Sequence, residues 1–234
     1  MKSFQIPPCT ECKNKNKLFC GLSNDDKDYL SENKGSNVFK SGQTIFYEGN
    51  QPHGLFCIYK GKVKLSKLGA DGKEQIIRFS GKGEVLGYRA LLSETSYNAT
   101  ATAIEDCEIC HISKSAFMSS LSKNSSLAFN VIQLLSDNLK ESENKLMAVT
   151  QKSVKERVAQ ALLMLKARFG LEDDKATLPV ILTRREIGEI ACITTETTIR
   201  TLSEFKKQKL IELNQKKIKI IDMNRLISMA RIDD

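Results

Sequence analysis

The chain has 234 residues, 36 Lys+Arg against 28 Asp+Glu, a formal charge of +8 and a pI near 9.1. Hydrophobic residues make up 41%, which excludes a wholly disordered chain, and the length suits one large domain or two small ones. No uninterrupted apolar run exceeds that of Ala161 to Leu165, which falls far short of the roughly 18 to 20 residues a membrane span needs.

The N-terminus MKSFQIPPC places two prolines where a signal peptide would have its apolar core, so the expected location is cytoplasmic, with no membrane partner. In a reducing compartment the seven cysteines point to metal binding, redox chemistry or burial rather than disulfides. Positive charge is denser toward the C-terminus: residues 151–234 hold 17 Lys+Arg and 12 Asp+Glu. Such an excess bears on partners and not on fold, and it points weakly to nucleic acid.

Taken in chain order, the first feature is the pair Cys9-x2-Cys12, followed by Cys20. Nine of the thirteen glycines then fall between Gly42 and Gly87, separating short β-rich runs at Thr44–Tyr47, Leu55–Tyr59, Val63–Leu68 and Gln75–Phe79. The pattern continues through Ala99–Ile104 and Glu108–Ile112, and Ala70-Asp71-Gly72 is a hairpin turn. Short strands at this spacing predict an antiparallel sandwich or barrel over about 36–113.

Beyond it the period changes. Ala128, Ile132, Leu135, Leu139, Ser142, Leu146 and Val149 alternate steps of 4 and 3, the spacing of a coiled-coil seam with one polar member. A helix packed on its own barrel is the plainer reading, but a stripe this narrow favours self-pairing and hence a homodimer. A second amphipathic helix carries Val154, Val158, Leu162 and Leu165 and ends at Gly170.

The last segment opens with a capping box, Thr183 with Glu186. A tight turn at Cys192-Ile193-Thr194 leads into Thr195–Leu202, and Ile211–Leu213 and Ile218–Ile221 pair as a hairpin rich in lysine. This describes a winged helix-turn-helix. Glu196 and Arg200 stand one turn apart on its second helix; Arg can take guanine O6 and N7 together, and a carboxylate can accept from the cytosine amino group. The competing reading is a surface ion pair.

The order of β-domain, long helix and winged helix resembles the CRP/FNR family of bacterial transcription regulators over about residues 20–230. The resemblance rests on Lys40-Ser41-Gly42-Gln43-Thr44-Ile45-Phe46, Gly61, Gly83-Glu84-Val85-Leu86-Gly87, and Thr183-Arg184-x-Glu186-Ile187-Gly188 with Glu196-Thr197-x-x-Arg200. It implies an α+β architecture in four parts: a cysteine-containing segment (1–22), a jelly-roll sensor (23–122), a dimerisation helix (123–150) and a winged-helix domain (151–234). It further implies base reading by Glu196 and Arg200, backbone contacts from Thr183, Arg184, Thr194, Thr195 and Lys216, a palindromic double-stranded DNA operator, and RNA polymerase as partner. The expected seam is Ala128, Ile132, Leu135, Leu139 and Leu146. Cys192 stands where the family's turn has Gly, so a positive φ there costs on the order of 1 kcal/mol.

Cyclic-nucleotide members hold the ribose with a Glu and the phosphate with an Arg. Here those places fall at Tyr88 and near Tyr97-Asn98, which disfavours cyclic AMP; Arg89 is one position off and, on a strand, would face away. Oxygen-sensing members use three N-terminal cysteines and one near Cys110. Cys9, Cys12, Cys20 and Cys110 could accordingly hold a 4Fe–4S cluster or zinc. The alternative leaves Cys9 and Cys12 as exposed thiols while Cys20, Cys57, Cys107 and Cys110 fill core. His53 and His111 have no catalytic partner, His111 being expected to face solvent, and neither a nucleophilic triad nor a phosphate-cradling loop is present, so no enzyme is expected. The competing function class is a ligand-binding or scaffolding β-barrel dimer that does not bind DNA.

Overall fold

The protein, seen in a computed structural model, is described at residues 6–12, 14 and 18–231. Its contacts divide it into two compact units. One is built from the chain up to Gly72 with Ile77–Leu139, the other from Lys140 onward with Lys73–Ile76.

In the first unit, helix α1 (Asn24–Glu32) begins at Ser23, whose hydroxyl accepts from the Asp26 N–H. Eight strands follow: β1 (Lys34–Phe39), β2 (Thr44–Phe46), β3 (Gly54–Lys60), β4 (Val63–Leu68), β5 (Glu74–Ser80, of which Glu74–Ile76 belong to the second unit), β6 (Val85–Leu86), β7 (Thr100–Ala103) and β8 (Cys107–Ser113). They form two four-stranded sheets, ordered β1-β8-β3-β6 and β2-β7-β4-β5. These are the two layers of the expected jelly roll. Phe46, Ile58, Val63, Leu65, Ala101 and Ile109 belong to one buried cluster of this sandwich.

A short helix α2 (Tyr88–Leu92) interrupts the strands, and α3 (Lys114–Lys123) follows them. With α1, these helices contribute to a second core cluster containing Leu30, Leu91, Ile112 and Phe117. Several elements escaped the periodicity reading, among them β1, α1 and α2. β1 is nearly all exposed and carries Gly35, Ser36 and Asn37, so no apolar alternation announces it. The helices α1 and α2 are too short, at 9 and 5 residues, to show a 3.6-residue repeat.

Helix α4 (Ser125–Gln151) is a continuous 27-residue element. Leu127 and Val131 are buried in the second cluster with Leu134 packed against it. This stripe anchors the helix to its own domain, so the plainer sequence reading accounts for part of the helix. The seam stripe is a different face: Ile132, Leu139 and Leu146 are 58%, 61% and 64% exposed, and Leu135 and Val149 are exposed as well.

In the second unit, α5 (Val154–Phe169) starts with a capping box from Ser153 and Glu156 and ends at Gly170, as expected. It packs against α6 (Arg184–Ala191), α7 (Thr195–Lys207) and α8 (Met223–Ala230), with β9 (Ile211–Asn214) and β10 (Lys217–Ile220) as an antiparallel hairpin. The segment before α6 adds a partial third strand, the Leu178 N–H donating to the Ile218 carbonyl at 2.9 Å and the Ile220 N–H to the Ala176 carbonyl at 2.9 Å.

Candidate nucleic-acid interface and a cysteine-lined cavity

The helix-turn-helix is built by two caps and one tight approach. Thr183 and Glu186 form the capping box that opens α6; the Thr183 N–H donates to Glu186 Oε2 at 2.9 Å and the Glu186 N–H to Thr183 Oγ1 at 3.1 Å. Cys192 closes α6 at φ +53°, the left-handed conformation expected of the family's Gly position. Thr194 then caps α7, accepting from the Thr197 N–H. Gly188 lets the helices meet, for a Cβ there would lie 2.7 Å from Thr198 Oγ1 and 2.9 Å from the Ile193 carbonyl.

These constraints fix which face of α7 points outward. Thr198, Thr201, Leu202 and Phe205 are buried, while Glu196, Ile199 and Arg200 are exposed. Among the described residues Arg200 has no hydrogen-bond or ion-pair partner, so the i,i+4 ion pair with Glu196 does not form; the exposed guanidinium acts as a nearby positive charge on Glu204. The Glu196 carboxyl is held below its ordinary pKa by its own backbone N–H and the Thr194 hydroxyl, so it remains an ionised acceptor at neutral pH and further into acid than an ordinary Glu.

Thr195, half-buried, begins α7, and Lys216 is exposed in the turn between β9 and β10. Arg184 is positioned differently from a free phosphate contact: its Nη2 donates to the Gln215 carbonyl at 3.3 Å, bracing α6 against the wing turn, and burial lowers its pKa. Two of the wing lysines are already paired, Lys217 with Glu172 at 2.7 Å and Lys219 with Asp174 at 3.4 Å. Arg200, Lys206, Lys207, Lys209 and Lys216 are the exposed basic residues of α7, the turn after it and the wing turn.

The first unit contains a cavity of about 1110 Å³. Five of the seven cysteines line it: Cys9, Cys12, Cys20, Cys57 and Cys110. Its other walls include Lys34 and, from α4, Phe129, Asn130 and Ile132. The cysteine segment is tied to its surroundings on three sides. The Cys9 N–H donates to Ser31 Oγ at 2.7 Å, Asn14 Nδ2 to the Tyr59 carbonyl at 2.8 Å, and Asn130 Nδ2 to the Leu18 and Cys20 carbonyls at 3.0 and 2.9 Å.

All seven cysteines are free thiols. Burial pushes the Cys110 thiol up to about 11, opposed by Lys34 and reinforced by Cys9 and Cys12. Burial also raises Cys57 well above the usual thiol value, with further contributions from Cys110, Cys9 and Cys12. Cys107 lies outside this group; it is buried in the sandwich core, donates to the Lys62 carbonyl, and is pushed up to about 11 mainly by desolvation.

Comparison with known proteins follows this division. Residues 36–124 match the Cyclic nucleotide-binding domain family and residues 156–229 the Crp-like helix-turn-helix domain family. The chain is 28% identical over 194 residues to the CRP-like cAMP-activated global transcriptional regulator of Mycobacterium tuberculosis, covering 82% of this chain and 87% of that one. It is 26% identical to the Fumarate and nitrate reduction regulatory protein of Vibrio cholerae, covering 89% and 82%. The structure of FixK2 from Bradyrhizobium japonicum superposes with a TM-score of 0.76 at 23% identity, covering 86% of this chain and 99% of that one.

The chain belongs to the CRP/FNR family.

It is a DNA-binding transcription regulator of the CRP/FNR type, and the scaffolding-barrel alternative is not favoured. The family's members are regulators rather than enzymes. Among the described residues no helix is long and apolar enough to cross a membrane.

In this CRP/FNR sensor the region expected to receive ribose and cyclic phosphate is packed with aromatic side chains. Tyr88 is buried, and its hydroxyl accepts from Asn138 Nδ2 on α4. Tyr97 is buried, with its ring stacked on Phe46 at 4.0 Å, and burial raises its pKa. Two sequence expectations need correction. Arg89 lies on α2 and not on a strand; it is exposed because of its helical position. His111 does not face solvent: it is half-buried with its ring 4.9 Å from Phe56, and desolvation together with His53 lowers its pKa.

Proposed function

We propose that this regulator binds inverted-repeat operators as a homodimer paired through α4, and that its sensor responds to oxygen or redox state through an iron–sulfur cluster instead of cyclic AMP. The observation that carries the sensor reading is the cavity shared by five cysteines and the helix of the proposed dimer seam. Tyr88 and Tyr97 supply neither the carboxylate nor the cation that a cyclic nucleotide needs, and their buried rings support the same conclusion.

The residues fit a cluster in donor chemistry, with more than the four thiols such a group takes, all free and around one cavity. Among the described residues no three potential ligands already converge to metal-holding distance, so the sulfurs surround the site without preforming it. Cys9, Cys12, Cys20 and Cys110, all of which line the cavity, would supply the donors. A bound cluster would supply an oxygen-reactive centre of variable charge. The chain's own contribution is mechanical: Asn130 joins the carbonyls of Leu18 and Cys20 to α4, so any shift of the cysteine segment is felt by the seam.

For DNA, Arg200 would take a guanine and Glu196 the opposing cytosine, with Thr183, Arg184, Thr194, Thr195 and Lys216 near the backbone. Thr195, shorter than the Arg that the cyclic-AMP branch has there, favours a TTGA-type over a TGTGA-type half-site. Two-fold symmetry sets half-site centres about 10 bp apart. RNA polymerase as a further partner rests on family resemblance.

Anaerobic purification tests the sensor reading. The protein should be brown and iron-bearing, and air should bleach it and weaken operator binding. Colourless, iron-free anaerobic protein would refute the cluster. Selection from random duplexes tests the rest, and failure to enrich an inverted repeat under both anaerobic and oxidising conditions would refute it.

A further inference from the structure

Resting on the DNA reading above, we propose that Ile199 is a specificity-determining residue that reads a thymine. Its side chain packs on the C5-methyl of a thymine within two base pairs of the G·C pair assigned to Arg200 and Glu196. Helix α7 then reads its half-site by apolar contact as well as by hydrogen bonds.

The observation behind this is the make-up of the outward stripe of α7. Glu196, Ile199, Arg200, Ser203, Lys206 and Lys207 are exposed at steps of three and four residues, while Thr198, Thr201, Leu202 and Phe205 are buried on the other side. Five members of the stripe are polar or charged. Ile199 is the exception, and it is 50% exposed. Folding gives no reason for an isoleucine here, because the buried side of the helix already supplies its packing and isoleucine is a poorer helix former than Ala, Glu or Lys. A single exposed apolar residue is ordinary on a protein surface, so what matters is where this one stands. It is the fifth residue of a helix that begins at Thr195. In a helix-turn-helix the second helix lies in the major groove with its N-terminal residues at the base edges.

The chemistry of the groove then selects the partner. Base edges there carry hydrogen-bond donors and acceptors, and the C5-methyl of thymine is the apolar group among them. Isoleucine has no donor or acceptor in its side chain, so against a polar edge group it displaces water without replacing the lost hydrogen bond. Against the methyl it buries apolar surface on both partners. Branching at Cβ confines Ile199 to one preferred χ1 rotamer in a helix, so the side chain is positioned before DNA arrives. Helix neighbours three apart have Cβ atoms about 5–6 Å apart. Bases follow one another at about 3.4 Å along a strand. The base reached from Ile199 therefore lies within two pairs of the one reached from Glu196. One turn on, the Ser203 hydroxyl donates to the Ile199 carbonyl at 2.8 Å, so its proton is turned toward the helix and away from the bases.

Uracil differs from thymine by the methyl alone and is the probe. The operator selected from random duplexes is titrated, under the condition that enriches it, with full-length wild type, Ile199→Ala, Ile199→Ser and Ile199→Val. Each thymine of the half-site is replaced in turn by uracil, in one half-site and then in both. A buried methyl is worth about fourfold in affinity, so wild type should lose about fourfold per half-site and about fifteenfold for both, at one thymine position. Ile199→Ala and Ile199→Ser should bind the thymine operator more weakly than wild type and show no response to uracil at that position. Ile199→Val keeps a branched side chain and should keep part of the response. Far-ultraviolet circular dichroism should show all three variants folded, since the site is exposed. A uracil penalty that is absent from wild type, or as large in Ile199→Ala as in wild type, overturns the proposal. So does a selected half-site with no thymine within two pairs of the G·C pair. If Arg200→Ala loses the G·C preference while the uracil response of wild type is nil, the DNA reading stands and the role of Ile199 falls. If wild type selects no operator, both fall.

Discussion

Gly188→Ala is a sharp probe of the helix-turn-helix because two opposing effects can be weighed from the structure. In an exposed helix interior the change would stabilise by about 1 kcal/mol through helix propensity. Here the new Cβ would lie 2.7 Å from Thr198 Oγ1 and 2.9 Å from the Ile193 carbonyl. Thr198 cannot simply rotate away, for it is fully buried and its hydroxyl donates to the Thr194 carbonyl at 2.9 Å. Ile193 is no freer, since its N–H donates to the Gly188 carbonyl at 2.9 Å and its own carbonyl belongs to the turn. Overpacking costs about 1–3 kcal/mol, and two contacts under 3.0 Å, one of them to a backbone carbonyl, put this site toward the upper end, so after the propensity gain a net loss of about 1–2 kcal/mol is expected in the second unit. Hydrogen exchange should report it as lost protection at amides of α6 and α7, with amides of β8 as internal reference. Thr198→Ala removes the nearer obstacle and leaves the Ile193 carbonyl, so Gly188→Ala should cost less in that background without becoming harmless. Unchanged or increased protection in the single variant would refute the close-approach argument.

Arg200→Ala should weaken binding to the selected operator by about 1–3 kcal/mol in a titration against labelled duplex. An equal loss on random DNA would assign Arg200 to phosphate contact. Replacing Leu135 and Leu139 with Asp puts two carboxylates into the proposed seam, where each desolvated, unpaired charge costs several kcal/mol, and sedimentation should find a monomer with weak operator binding. A persistent dimer with normal binding would move the seam elsewhere. Asp174 accepts from the Ala176 and Thr177 N–H groups and the Thr177 hydroxyl, and its pKa is held well below the ordinary carboxylate value. Its stabilisation is present above the unfolded-state pKa near 3.9 and is lost as pH falls through the lower folded value. Asp174→Asn should therefore be less stable than wild type at neutral pH, with the difference shrinking in acid; a difference independent of pH from 7 to 2 would exclude this linkage.

Much of this protein is local and therefore legible in its residues. The hairpin turn at Gly72, the capping box at Thr183 and the stop at Gly170 each depend on a few neighbouring backbone groups, so residue type alone identifies them. The period change after the β-domain likewise marks α4 from the sequence, and the spacing of Glu196 and Arg200 puts them on one helical face. Tertiary packing decided the rest. Whether Arg200 is engaged by Glu196 or left open depends on rotamer and environment, which an i,i+4 spacing does not specify. The double character of α4, one stripe seated on its domain and another exposed, emerges when Leu127 and Val131 find the second core cluster. The cysteines make the point most clearly. Spacing joined Cys9, Cys12 and Cys20 because they are near in the chain, but the partner of Cys110 is chosen by strand register, and register brings Cys57 across from it through contacts between residues 53 positions apart.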